Sequence, residues 1–191
     1  EIARFADGTL RYAIANTSPG WVFVNTTVVA PLNEWWHIAF TYDANAAIPQ
    51  IRLYTNGVLA YSAAGTGLIG DAVPTANEFR IGGRQVGLQY FQGQIDEVRI
   101  WNIARPANDI QNNFQRRLYG SEPSLAAYFQ FNSSANSTTP DSGPNGLTAT
   151  LVNGASLALS GARLQDPVAT TTPATPVLAT SATLRGTVNP S

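Results

Sequence analysis

The chain has 191 residues, 44% of them hydrophobic and 12% charged, and a net charge of −1. This describes a packed chain with a lightly charged surface, long enough for one large β-domain or for one domain and part of another. Nucleic acid and anionic membrane surfaces are excluded as partners because both require a concentrated basic face, and no apolar run approaches the roughly 18 residues of a membrane-spanning helix.

The residue types left out are also informative. Cys is absent, and all 11 basic residues are Arg. Disulfides, thiolate chemistry, lysine Schiff bases and Lys–Asn isopeptide staples are therefore unavailable. Abundant Thr, Ser, Asn and Ala point to a secreted or cell-surface protein of bacterial origin. Asn-x-Ser/Thr sequons occur at Asn16, Asn25, Asn132 and Asn136 and matter only in a eukaryotic secretory route. With Glu1 at the start and a strand-like stretch over 181–191 at the end, both ends read as cut from a longer polypeptide.

In chain order, short alternating segments are separated by Gly, Asn and Asp turns. Residues 2–5 and 9–15 flank Asp7-Gly8, and residues 51–54 and 58–61 flank Asn56-Gly57. Both dipeptides tolerate positive φ and so predict hairpins. Between them lie strands over 21–24 and 35–42. In the latter, Trp36, Ile38, Phe40 and Tyr42 share one face and Trp35, His37, Ala39 and Thr41 the other. Residues 79–82 and 91–101 read as further strands. Trp36, Phe40, Leu53, Ile81, Val98 and Ile100 are the expected core. Over 106–118 the pattern changes: Ile110, Phe114 and Leu118 recur every four residues, Pro106 suits a first helical position and Gly120 a stop, so one short helix is expected. Strands resume at 125–131 and 147–152. After Gly161, residues 164–179 form a Pro/Thr-rich linker, and residues 180–191 look like the start of a fibronectin-III or Ig-like β-module.

Three ordered blocks resemble the laminin-G-like, pentraxin-related branch of the concanavalin A-like lectin/glucanase superfamily: NEWWHIAFTYD (33–43), IRLYTNG (51–57), and FRIGG (79–83) followed by FQGQIDEVRIWN (91–102). A fourth group, LAAYFQF (125–131), DSGPNG (141–146) and TLVNGA (150–155), resembles pieces found with such domains. The resemblance implies an all-β, antiparallel two-sheet jelly-roll sandwich over 1–163 with one short helix. The family's two opening strands are not found before Glu1. They are expected upstream, or to be replaced by a strand from a neighbouring chain.

The resemblance also frames the chemistry. Glucanases of the superfamily carry paired carboxylates on one strand, because retaining hydrolysis needs an acid and a nucleophile about 5 Å apart. No such triplet occurs, and Asp96 and Glu97, being adjacent, should face opposite sides of a strand, so no enzyme is expected. Calcium is the implied cofactor: an Asp at the place of Asp96 ligates a structural ion with backbone carbonyls in related jelly rolls, and Asp141 is a weaker candidate within its turn. The pentraxin double-calcium ligands should fall around 84–89, where acids are lacking. Asp43, Asn45, Asp71 and Asn77 read as turn residues. For ligand contact, Trp21, Trp35, Gln89 and Tyr90 combine aromatic rings with an amide. The expected function is a non-catalytic adhesion or structural module, with a calcium-assisted carbohydrate-binding module as the alternative. The expected partners are a glycan, a surface protein or neighbouring copies of the chain.

Overall fold

The computed structural model describes residues 1–15, 21–65, 67, 69–70, 78–84, 89–133, 135, 137–165, 168–172 and 185–189; for 21–22, 168–172 and 185–189 only the backbone is described. It is an all-β chain of antiparallel sheets with a single short helix among the described residues. Two compact units are present: residues 1–96 with 103–111, and residues 97–102 with 112–191.

The first unit is built on two three-stranded sheets. In one, β1 (Ile2–Arg4), β2 (Thr9–Ala15) and β3 (Trp21–Val29) lie in the order β1-β2-β3. In the other, β4 (Ile38–Tyr42), β5 (Ile51–Thr55) and β6 (Val58–Ala63) lie in the order β4-β5-β6. Alternation explains which faces meet. Leu10, Tyr12 and Ile14 of β2 and Ile51 and Leu53 of β5 are buried together, and Trp36, Ile38, Phe40 and Tyr42 pack against them as one face. The rings of Tyr12 and Phe40 meet with centroids 4.6 Å apart, joining the two sheets across this core. Leu53 is fully buried, whereas Trp36, Phe40, Ile81, Val98 and Ile100 are half-buried.

Both expected hairpins form. Asp7-Gly8 joins β1 to β2, and Asp7 Oδ1 accepts from the Thr9 amide and hydroxyl, which lowers the carboxyl's pKa. Asn56 (φ 47°) and Gly57 (φ 79°) join β5 to β6 with the paired left-handed conformation that matches strand twist. Opposite Leu10, β3 bulges. Thr26 is buried there and donates its hydroxyl to the Leu10 carbonyl at 2.7 Å, satisfying a group the irregular ladder leaves over.

Two expected strands are shorter than the pattern suggested. Residues 79–82 form no strand, and 91–101 contributes only β7 (Val98–Trp101). Gly82, Gly83 and Gly93 interrupt the stretch, and Phe79, Phe91 and Ile95 are exposed rather than buried on a sheet.

In the second unit, β7 pairs with β8 (Leu125–Phe129), β9 (Thr138–Pro140) with β10 (Thr148–Thr150), and β11 (Val168–Thr172) with β12 (Arg185–Asn189). Its apolar centre is Leu118, Leu125 and Tyr128, with Trp101 against them. The helix, α1, runs only from Ala107 to Asn113, so Phe114 and Leu118 are not on it. The reason lies in its last carbonyls. Arg99 donates to the carbonyls of Asn113 and Arg116, while Gln165 pairs by backbone with Gln115 and Arg117 and draws the chain out extended. Tertiary capture here outweighs helical periodicity.

Candidate functional site

Three exposed aromatic groups of the first unit lie in the segment after residue 78. Residues 82–84 and 89–91 form a short antiparallel arm: Arg84 N–H donates to the Gln89 carbonyl at 3.1 Å, Phe91 N–H to the Gly82 carbonyl at 2.8 Å, and Gly83 pairs with Tyr90 between them. Gly83 is required by the close approach of Tyr90, whose ring would lie 3.1 Å from any added Cβ. Phe79 is 69% exposed, and Tyr90 and Phe91 are each 49% exposed. Since residues alternate along the arm, Gln89 and Phe91 fall on one face with Arg84, and Tyr90 falls on the other.

From that first face a polar ladder runs to the β1-β2-β3 sheet. Arg84 Nη1 donates to Gln89 Oε1 at 2.9 Å, and Arg84 Nε lies 3.1 Å from Glu1 Oε2. The other oxygen, Glu1 Oε1, lies 3.0 Å from Arg11 Nη2. The Arg11 guanidinium is itself held between rings, 4.8 Å from the Phe5 centroid and 5.2 Å from that of Phe23.

The second unit holds its acids differently. Glu97, just before β7, has a left-handed backbone with φ 55°. It accepts from Arg99 Nη2 at 2.9 Å and from the Tyr128 hydroxyl, with Arg117 Nε at 3.8 Å. Burial, and next the Glu97 carboxylate, push the Tyr128 phenol up to about 12. A carboxylate bound this way cannot meet a substrate without breaking the network. Asp141 is likewise engaged. Its Oδ1 accepts from the amides of Tyr128 and Gly143, both at 2.7 Å, and Oδ2 from Leu147 at 3.3 Å. This is how a carboxylate pins a turn onto a strand.

The expected site residues are thus dispersed. Gln89 and Tyr90 share the arm but on opposite faces, and Trp35, 38% exposed, stands in the segment before β4. The side chain of Trp21 lies outside the described residues, as do Asn16, Asp71, Asn77, residues 85–88 and Asn136. Asp96 is half-buried beside Glu97. Among the described residues no three of His, Asp and Glu gather as a metal cluster, so the residues present do not form a carboxylate-rich cation site. Arg84, Glu1 and Arg11 were missed in the sequence. A signal existed, since Arg11 stands on the outward positions of an alternating strand whose other face is core.

No curated protein matches the sequence. Among solved structures, a candidate carbohydrate-binding protein from Bacteroides ovatus is 26% identical with a TM-score of 0.56, over 80% of this chain and 44% of its own. An S-layer domain-containing protein from Clostridium thermocellum is 21% identical with a TM-score of 0.37, over 58% of this chain and 54% of its own. The chain thus spans less than half the length of the Bacteroides protein. The profile of a laminin-G-like family of the concanavalin A-like lectin/glucanases superfamily matches residues 1–111, and the chain belongs to that family.

Proposed function

We propose that this chain is a non-catalytic carbohydrate-binding module of a secreted or cell-surface bacterial protein. The observation that carries the reading is the arm of residues 82–84 and 89–91, where exposed Phe91 shares a face with the Gln89 amide and the Arg84 guanidinium, exposed Tyr90 stands on the other face, and exposed Phe79 precedes the arm. Aromatic faces for sugar C–H groups and planar donors for hydroxyls are the parts a sugar platform needs. The likeness to the bacterial Bacteroides ovatus protein supports it. So does the engagement of Glu97 by Arg99 and Tyr128, which ties that carboxylate into a structural network. No helix among the described residues is long and apolar enough to cross a membrane.

A glycan array followed by calorimetry tests this. A defined saccharide should bind, and Phe91→Ala, on the face of Gln89 and Arg84, should weaken it by about ten-fold. Absence of binding to any glycan, or hydrolysis of one, refutes it. Calcium belongs to the proposal as a one-carboxylate site in which Asp96 works with backbone carbonyls. Chelation should then lower the melting temperature of the parent chain but not of Asp96→Ala. A second reading, adhesion through a surface protein or neighbouring copies, is favoured by the exposed Val58 and Leu59 on β6, which ends its sheet. Concentration-dependent association in sedimentation, without sugar binding, would select it. Residues 164–179, read in the sequence as a linker, carry β11, which pairs with β12, so the proposed organisation has 164–179 leading into, and partly joining, a further β-module that opens over 180–191.

A further inference from the structure

The polar ladder at the root of the arm has a charge imbalance. Two guanidiniums, Arg11 and Arg84, share the single carboxylate of Glu1, leaving one positive charge in excess on a chain whose net charge is −1. The aromatic rings beside it are also committed. Phe5 and Phe23 both lie against the Arg11 guanidinium, so they act less as open platforms for a neutral sugar than as walls that hold the guanidinium plane. A guanidinium fixed by its faces offers its N–H edge, and that edge matches a carboxylate in a way no neutral hydroxyl does. Arg84 continues the pattern with its side chain 45% exposed, tied on one side to Glu1 and on the other to Gln89.

From this arrangement we infer that the surface Arg11–Glu1–Arg84–Gln89 binds an acidic saccharide chain, one whose rings carry uronic carboxylates; this rests on the carbohydrate-binding reading above. Glu1 acts as an internal stand-in for the ligand. Its carboxylate holds both guanidiniums in place in the free protein and competes with a sugar carboxylate for them. Because the ladder passes through several side chains, it is matched to more than one sugar ring, with Gln89 and Phe91 at the arm end and Phe23 at the sheet end.

The test is calorimetry of the full chain with three probes: hexagalacturonate, the same hexamer fully methyl-esterified, and cellohexaose. Hexagalacturonate should bind at least about ten-fold more tightly than its ester, the difference a charge-assisted hydrogen bond supplies. Arg84→Gln and Arg11→Gln should each close most of that gap, and added salt should narrow it. Glu1→Gln separates ligand competition from structural support. It should tighten hexagalacturonate binding several-fold relative to the ester, whereas equal weakening of both probes would mean that Glu1 only supports the surface and overturn its role as a competitor. Equal binding of acid and ester, or a gap that survives Arg84→Gln in a folded protein, overturns the inference and leaves the carbohydrate-binding reading standing. Binding of none of the three probes, together with a blank glycan array, removes both.

Discussion

The two units reach order by different means. In the first, Leu10, Tyr12, Ile14, Ile51 and Leu53 form an apolar centre between two sheets, and burial of hydrocarbon supplies the stabilisation. In the second, a three-residue apolar centre is supplemented by two polar locks. Glu97 joins Arg99, Arg117 and Tyr128, and Asp141 gathers three backbone amides. Apolar packing tolerates shape changes in small steps, whereas a buried lock fails at once when one partner leaves its opposite number unsatisfied. The first unit should therefore respond to lost volume and the second to lost hydrogen bonds.

Leu53→Ala gives the largest expected effect. The side chain is fully buried, so truncation removes transfer energy and leaves a cavity, about 4 kcal/mol of stability. Denaturant unfolding measures the loss, and hydrogen exchange should place the lost protection in β4 to β6. Asp141→Ala follows at about 3 kcal/mol, since it strands the amides of Tyr128, Gly143 and Leu147, with exchange rising in β8 instead. A larger effect for Asp141→Ala than for Leu53→Ala would mean the second unit's locks carry more than its apolar centre suggests. Gly120→Ala probes the same turn from outside: Gly120 has φ 88°, and an added Cβ would lie 1.9 Å from the Ser142 carbonyl oxygen.

A pH titration separates the units from another direction. The Tyr128 phenol is held up to about 12, above the value near 10 of an unfolded chain. Stability from this group is therefore fully present below pH 10, falls as the unfolded chain ionises and is lost by about pH 12, roughly 2 kcal/mol in all. Tyr128→Phe should flatten the alkaline limb between those values. An unchanged limb would mean that the phenol is not shielded in solution.

The same division governs what the sequence revealed. The face Trp36, Ile38, Phe40 and Tyr42 and both hairpins follow from alternation and from residues that accept positive φ, which act within a few positions. What escaped depends on partners far along the chain. The helix over 106–118 loses its last turn to Arg99 and Gln165, and the Glu97 carboxylate is engaged by Tyr128, 31 positions along the chain. The Glu-Val-Arg spacing at 97–99 was a usable clue, as residues two apart on a strand share a side. Of the proposed ligand residues, Gln89 and Tyr90 were singled out by residue type. Their separation onto two faces, and the link from Arg84 through Glu1 to Arg11, needed the backbone.

The smallest expected effect has the opposite sign. Tyr12 sits in the first unit's apolar centre, 1% exposed, and its hydroxyl has no hydrogen-bond partner among the described residues. Desolvation, with Tyr61 as a second cause, raises its pKa. A buried hydroxyl without a partner costs free energy that its hydrocarbon ring must offset, so this residue departs from the rule that the unit is held by apolar contact alone. Tyr12→Phe keeps the ring and its packing on Phe40 while deleting the unsatisfied group. The variant should be more stable by about 0.5–1 kcal/mol near neutral pH, read from the denaturation midpoint at constant slope. Its advantage should grow above pH 10, because the parent then resists ionisation in the folded state while the unfolded chain does not. A destabilised Tyr12→Phe would show that the hydroxyl makes a bond in solution, and the first unit would then depend on a polar lock as the second does.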